Sequence, residues 1–392
     1  MTLPPKPDAR QDRVSLFRYM RLFRRDILSA QPARLYRAWM AEFRTPFFRS
    51  FLVNQPDLVR EVLKARPDDF PKSNRIGEGL RPLLGNSVFV TNGDVWRRQR
   101  RIIDPAFEGG RLRATFPAMM EAADAAVARL STRLDQKLEV EAEMSHAAAD
   151  VMFRTLFSIA IEDQVARDVF AAFRAHQRSQ PILNLAAFVP LPRWIPRGHR
   201  RKTLVTAELI RRLITKMVET RAAEIDAGLA PDDLASKIMT TPDPETGQGF
   251  TPAEMVDQVA IFFLAGHETS ASALSWALYL LATHPEWQER VAREAQTQEV
   301  AHAPDVARLK AANAVFRETL RLYPPVPMMV REASRDEVFR NRRVPRGAQI
   351  VLSPWHLHRH TRLWDNPDGF EPDRWSTSVA PDTYMPFSAG PR

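Results

Sequence analysis

Cysteine is absent from all 392 residues. Disulfides, iron–sulfur clusters and zinc ribbons are therefore excluded from this sequence, and the redox compartment stays open, with the cytoplasm as the default expectation. Long apolar runs are missing as well: none approaches the roughly 18 residues that a membrane-spanning helix needs. The N-terminal residues lack the apolar core and small-residue cleavage site of a secretory signal. No internal repeat or low-complexity segment interrupts the chain.

What is present fits a globular protein. The hydrophobic fraction of 44% allows a sizeable core, and the length suits about two to three ordinary domains or one large helical fold. Net charge is +9, with arginine spread along the whole chain. Nothing resembles a zinc finger, a basic zipper or an aromatic-rich RNA platform, so nucleic-acid binding is not expected. The favoured reading is a solvated basic surface, and the alternative is a docking face for an acidic partner, where charge complementarity speeds encounter.

Hydrophobic periodicity predicts mostly α structure. Residues 13–28 carry Leu16, Met20, Phe23 and Ile27 at helical spacing among Arg13, Arg18, Arg21, Arg24 and Arg25. Such a helix usually packs its apolar stripe on the domain, and weak contact with an anionic membrane surface is the alternative. Residues 46–53 and Ala348–Ser353 read as strands, with a helix opened by Asn54 and Pro56 after the first. Further helices are expected at Arg113–Leu138, Ala147–Phe173, Lys202–Asp226 (stopped by Gly228), Pro252–Thr283 and Ala312–Leu322. Residues 181–199 form an apolar, proline-rich loop, and 240–250 a plain surface turn. The expectation is one domain over 1–392, with small β-containing parts near 45–75 and 325–360 and a helical part near 94–323.

The helix over 252–283 is the best-specified element. Thr251-Pro-Ala-Glu254 spells a capping box with proline in the first turn, which stabilises that end by roughly 1 kcal/mol. Ile261–Leu264 and Leu274–Leu281 are apolar on nearly all sides, as in a core helix. Between them lies Ala265-Gly266-His267-Glu268-Thr269-Ser270, small and polar. Threonine back-bonding to the preceding turn is the bland account of such a site. The pattern would nonetheless arise by chance in only about one chain in several hundred. Glu-x-x-Arg is uninformative alone, since Glu78–Arg81, Glu208–Arg211 and Glu371–Arg374 also match. Glu318–Arg321 stands apart because it lies on a helix that Tyr323-Pro324-Pro325 ends, with both side chains on one face. His356, His358 and His360 alternate as strand or loop residues would, with no carboxylate at metal-ligand spacing, so no metal site is expected there.

Taken in order, Trp96-x-x-x-Arg100, Ala265–Ser270, Glu318-x-x-Arg321 and Phe387-x-x-Gly390-x-Arg392 resemble the heme-contacting segments of the cytochrome P450 family, of the soluble bacterial kind. The resemblance covers the chain from about Pro46 onward. It implies a mostly α fold with a small β region, heme b as cofactor, and monooxygenation of an apolar small molecule. It also implies electrons from NAD(P)H through a separate ferredoxin- or flavodoxin-like donor, because no flavin or nicotinamide domain is present. Ala265 and Gly266 would make room over the heme, Thr269 would hold a water for proton delivery, and Glu268 would relay protons. Trp96, Arg100, Arg331 and Arg392 would reach the propionates, with Phe387 and Gly390 in the loop beneath the heme. Glu318, Arg321 and Arg374 (of Phe370-Glu-Pro372-Asp-Arg374) would form a structural network, and Ile261, Phe262, Val326 and Met328 would line the substrate pocket. In the family the thiolate ligand follows the last arginine by about two positions. The expectation is thus a chain cut just before its ligand cysteine, without the last core helix and terminal hairpin, and inactive as it stands. A heme-less remnant that at best binds apolar ligands is the alternative.

Overall fold

A computed structural model describes residues 3–44, 49–179 and 201–391. The expected loop at 181–199, the first part of the 46–53 strand and Arg392 lie wholly or partly outside them. The chain opens with α1 (Leu16–Arg25), capped by the Ser15 hydroxyl, which accepts from the Arg18 amide at 3.3 Å. Strands β1 (Met40–Arg44) and β2 (Arg49–Val53) follow. Next comes α2 (Pro56–Arg60), which widens into a π-helical turn over Glu61–Ala65. Its cap is Gln55 rather than Asn54. The Asn54 amide instead donates to the carbonyls of Leu35 and Ala38, tying the strand end to an earlier loop.

The helical part comprises α3 (Asn74–Leu84), α4 (Gly93–Ile103), α5 (Gly109–Ala114), α6 (Phe116–Ser131), α7 (Val140–Phe157), α8 (Gln164–Ser179), α9 (Arg201–Asp226), α10 (Leu234–Thr240), α11 (Pro252–Thr283), α12 (Pro285–Thr297) and α13 (Lys310–Leu322). The expected helix 147–173 is two. Ser158 ends α7 in the left-handed conformation at φ 57°. The buried Asp150 carboxylate then accepts from the Ile161 amide at 2.9 Å and so fixes the turn into α8. The 240–250 turn is also more than surface: Asp243 is buried, accepts from Arg101 Nε at 2.6 Å and is held ionised well below the usual carboxylate range by that cation.

Four strands form one sheet in the order β1-β2-β6-β3, completed by β3 (Met329–Glu332) and β6 (Gln349–Leu352). The hairpin of β4 (Glu337–Phe339) and β5 (Arg342–Val344) lies between those two in sequence. β2 and β6 run parallel with Phe51 opposite Ile350, so residues some 300 apart in sequence are neighbours. Period-two alternation serves two clusters from one strand: Phe51 and Val53 enter one, Leu52 the other. After β6 the short helix α14 (Pro354–Leu357) carries His356, so these histidines are not on a strand.

The larger core is helical and centres on α11. Phe263 meets Phe153 at 4.6 Å, Phe173 at 6.0 Å and Phe157 in a stack at 6.3 Å. Phe263 thus joins α7, α8 and α11 through aromatic contacts in one buried cluster.

Candidate active site

The capping box forms as its residues dictate: the Thr251 hydroxyl accepts from the Glu254 amide, and the Glu254 carboxylate accepts from the Thr251 amide at 2.9 Å. From Met255 α11 is almost wholly buried to Phe263; beyond it Ala265 is exposed on one side of the helix, and Ser270, Leu274 and Leu278 are exposed on the opposite side. Thr269 makes the back-bond, its hydroxyl donating to the Ala265 carbonyl at 2.5 Å. That leaves the oxygen's lone pairs free to accept from a further group. Glu268 is half-buried, and burial, reinforced by the negative charge of Glu141, pushes its carboxyl up to about 7. A carboxyl titrating there can both give and take a proton near neutral pH.

Gly266 serves a different neighbour from the one expected. A Cβ there would stand 2.3 Å from Met152 Sδ, so its missing side chain makes room for α7. Ile261 likewise faces the core cluster, while Phe262 is half-buried and edge-on to Phe107 at 5.8 Å. Val326 is exposed and Met328 half-buried in the segment leading to β3.

Glu318, fully buried with Arg321, is the hub of a polar network. Its Oε1 accepts from Arg321 Nη2 at 2.8 Å, Arg374 Nε at 3.0 Å and the Glu371 amide at 2.9 Å. Its Oε2 accepts from Arg321 Nε at 2.9 Å and the Trp375 indole at 3.1 Å. Arg321 spends its remaining donors on the carbonyls of His358, Pro367 and Gly369. Trp375 and the three carbonyls were not legible in the sequence, because nothing near Glu318 signals partners about 40–60 residues away.

The cationic residues are grouped in part. β3 places Arg331, which is buried, in an isolated bridge with Lys72, and the Lys72 ammonium stands 5.6 Å from the Trp96 ring centre. One turn along α4, Arg100 is exposed and held by Asp104 at 2.8 Å. In the final segment Phe387 is 81% exposed. Gly390 adopts φ +75°, where a Cβ would meet the Leu63 carbonyl oxygen at 1.9 Å, so glycine is required. The Ser388 hydroxyl donates to Met329 Sδ at 3.2 Å, tying this segment to β3. The histidines after β6 diverge: His356 bonds Ser353, His358 accepts from the Met385 amide, and His360 stacks on Trp39. Among the described residues no group of three or more potential ligands is placed to hold a metal ion. None of the helices there is long and apolar enough to cross a membrane.

Comparison with known proteins places the fold and the family. The cyclooctat-9-en-7-ol 5-monooxygenase of Streptomyces melanosporofaciens is 33% identical over 386 residues, spanning 95% of this chain and 80% of that protein. A cytokinin hydroxylase of Arabidopsis thaliana is 26% identical, over 87% of this chain and 68% of its own. Among solved structures, retinoic acid bound cyanobacterial CYP120A1 superposes with a TM-score of 0.76 at 22% identity, covering 90% of this chain and 79% of that one, which establishes the fold. The cytochrome P450 family profile matches residues 40–392. With the motifs in family order on a matching fold, this chain belongs to the cytochrome P450 family.

Proposed function

We propose that the chain is a heme-thiolate monooxygenase, inserting one atom of dioxygen into an apolar small molecule and releasing the other as water. Electrons come from NAD(P)H through a separate ferredoxin- or flavodoxin-like carrier, in the cytoplasm. The observation that carries this reading is the α11 turn. Ala265 is exposed just beyond the mostly buried stretch Met255–Phe263, and beside Thr269 stands a carboxyl pushed up to about 7.

Heme is the cofactor the family implies, and the residues fit it. Ala265 and Phe387 leave apolar surface in water of the kind a flat macrocycle covers, and cationic side chains suited to its carboxylates lie at Arg100 and Arg331. Trp96, Arg100, Arg331 and Arg392 would hold the propionates by charge-assisted bonds. Bound heme supplies oxygen binding and activation, and thiolate ligation tunes it toward O–O cleavage. The chain's own residues do the rest. Thr269 holds a water at its hydroxyl, Glu268 exchanges protons with that water and with solvent, and Phe262, Val326 and Met328 turn an apolar surface toward the substrate. Ile261 and Gly266 act from behind, through packing.

Two measurements test the reading. The gene is sequenced past the codon for Arg392, and the reduced full-length protein is examined under carbon monoxide. A cysteine about two residues on, with the red-shifted band of thiolate ligation, supports the enzyme. A continuation without cysteine and without that band replaces it with a non-catalytic, apolar-ligand-binding member of the family.

A further inference from the structure

The same turn of α11 carries one side chain that the proposed chemistry does not use. Residues 265 and 269 are four apart and share a face, whereas 267 is two from each and points about 200° away around the helix. There His267 is 3% exposed. Its Nε2 lies 2.6 Å from the buried Ser145 hydroxyl of α7, and its ring meets Phe170 of α8 edge-on at 5.4 Å and 82°. Either neutral tautomer satisfies the bond, Nε2 accepting from the hydroxyl or donating to it. Burial, with Arg174 nearby, lowers the imidazole's pKa to about 4, so the ring is neutral at ordinary pH.

Packing alone does not call for an imidazole here, since desolvating one costs more than burying a phenylalanine at the same place. A directed hydrogen bond adds what apolar contact lacks, a fixed rotation. Phe153 and Phe263 pack this seam one turn earlier, and the contacts nearest His267 are less directional. Over Gly266 sits the flexible thioether of Met152, and Ala148 and Ala271 share a small apolar cluster with Met144.

We propose that His267 is a positioning residue, whose bond to Ser145 sets the rotation of α11 against α7 and thereby aims Thr269 and Glu268 at the reaction face. The proposal rests on the oxygen-activating reading of that turn. It also ties α8 to the turn through Phe170, so that three helices share one fixed point.

Three variants test it. His267→Phe keeps a ring against Phe170 and removes the bond, Ser145→Ala removes it with the loss of one oxygen, and His267→Gln returns a polar group near the Nε2 position. Amide hydrogen exchange over 265–271 is measured in each, together with the share of consumed NAD(P)H released as hydrogen peroxide by the full-length holoenzyme. H267F and S145A should each speed local exchange by about tenfold or more while amides of α9 stay unchanged. Each should also raise the peroxide share several-fold, and the double variant should match either single one. H267Q should bring both readouts back toward wild type. Faster exchange with an unchanged peroxide share would make the bond merely structural and overturn the proposal. Additive effects, no local change, or an H267Q that behaves like H267F would also overturn it. If H267F does not fold, S145A and H267Q decide by the same two readouts. Failure of the monooxygenase reading would appear in the wild-type protein alone, and the exchange measurement does not depend on heme.

Discussion

Glu318→Ala removes the centre of a polar network whose core pair is fully buried, and the structure sets the size of the effect. The carboxylate accepts five hydrogen bonds, from Arg321 twice, Arg374, Trp375 and the Glu371 amide. Glu318 and Arg321 have no exposed side-chain surface, so water cannot simply replace the lost partner. Arg321 would keep its three carbonyl acceptors but lose its counter-charge, and Arg374 would keep Glu371. Breaking a buried pair from one side costs about 3–5 kcal/mol, a large part of the ~5–15 kcal/mol that holds a typical domain. Glu318→Gln is expected to fall between the two. Its oxygen can keep the three Oε1 bonds while its amide confronts the Arg321 and Trp375 donors on the other side. Urea unfolding followed by circular dichroism gives the stability change, and heme content per chain in the full-length protein gives its consequence. The network holds the 367–375 segment against α13, so E318A should carry little heme. An E318A protein within about 1 kcal/mol of wild type and with normal heme would refute the assignment of this Glu-x-x-Arg as the structural one.

Thr269→Ala should keep heme and substrate binding while diverting reducing equivalents to hydrogen peroxide, and tight coupling of electrons to product in that variant would remove Thr269 from proton delivery. Because the folded state holds Glu268 up at about 7, it binds more protons than the unfolded chain between the ordinary carboxylate range and that value. Glu268 should therefore make stability fall as pH rises through that window, a slope that Glu268→Gln should lack when unfolding midpoints are compared. His356 and His358 act with the opposite sign: burial first, then nearby arginine, lowers both to about 3. The unfolded chain takes up protons below the ordinary histidine range, so stability should fall as pH drops toward 3, and His358→Gln should flatten part of that acid limb. Electron transfer from an acidic carrier should slow with rising ionic strength if basic residues guide docking, and a flat profile would return the +9 charge to simple solvation.

The sequence by itself determined the elements whose signals lie within a few residues of one another. Thr251, Pro252 and Glu254 set one end of α11 and the apolar run sets its length, so the helix runs over Pro252–Thr283 as read. Gly228, at φ +70°, follows the end of α9 for the same local reason. The order of four short motifs was likewise enough to name the family. Tertiary structure decided whatever depends on partners far away along the chain. Asp150 and Ser158 split one periodic stretch into two helices, and Asn54 was drawn from a capping role to loop carbonyls. Gly266 proved to accommodate α7, and Asp243 was buried by a cation from α4. Glu318 acquired an indole, a backbone amide and a second arginine from a segment some 50 residues downstream, a choice that seven identical Glu-x-x-Arg spacings could not express. The physical reason is one of range. Periodicity, caps and turns are settled by neighbouring residues, whereas a buried polar group must find its partner wherever the closed chain places one, and leaving it unpaired costs too much for the fold to ignore.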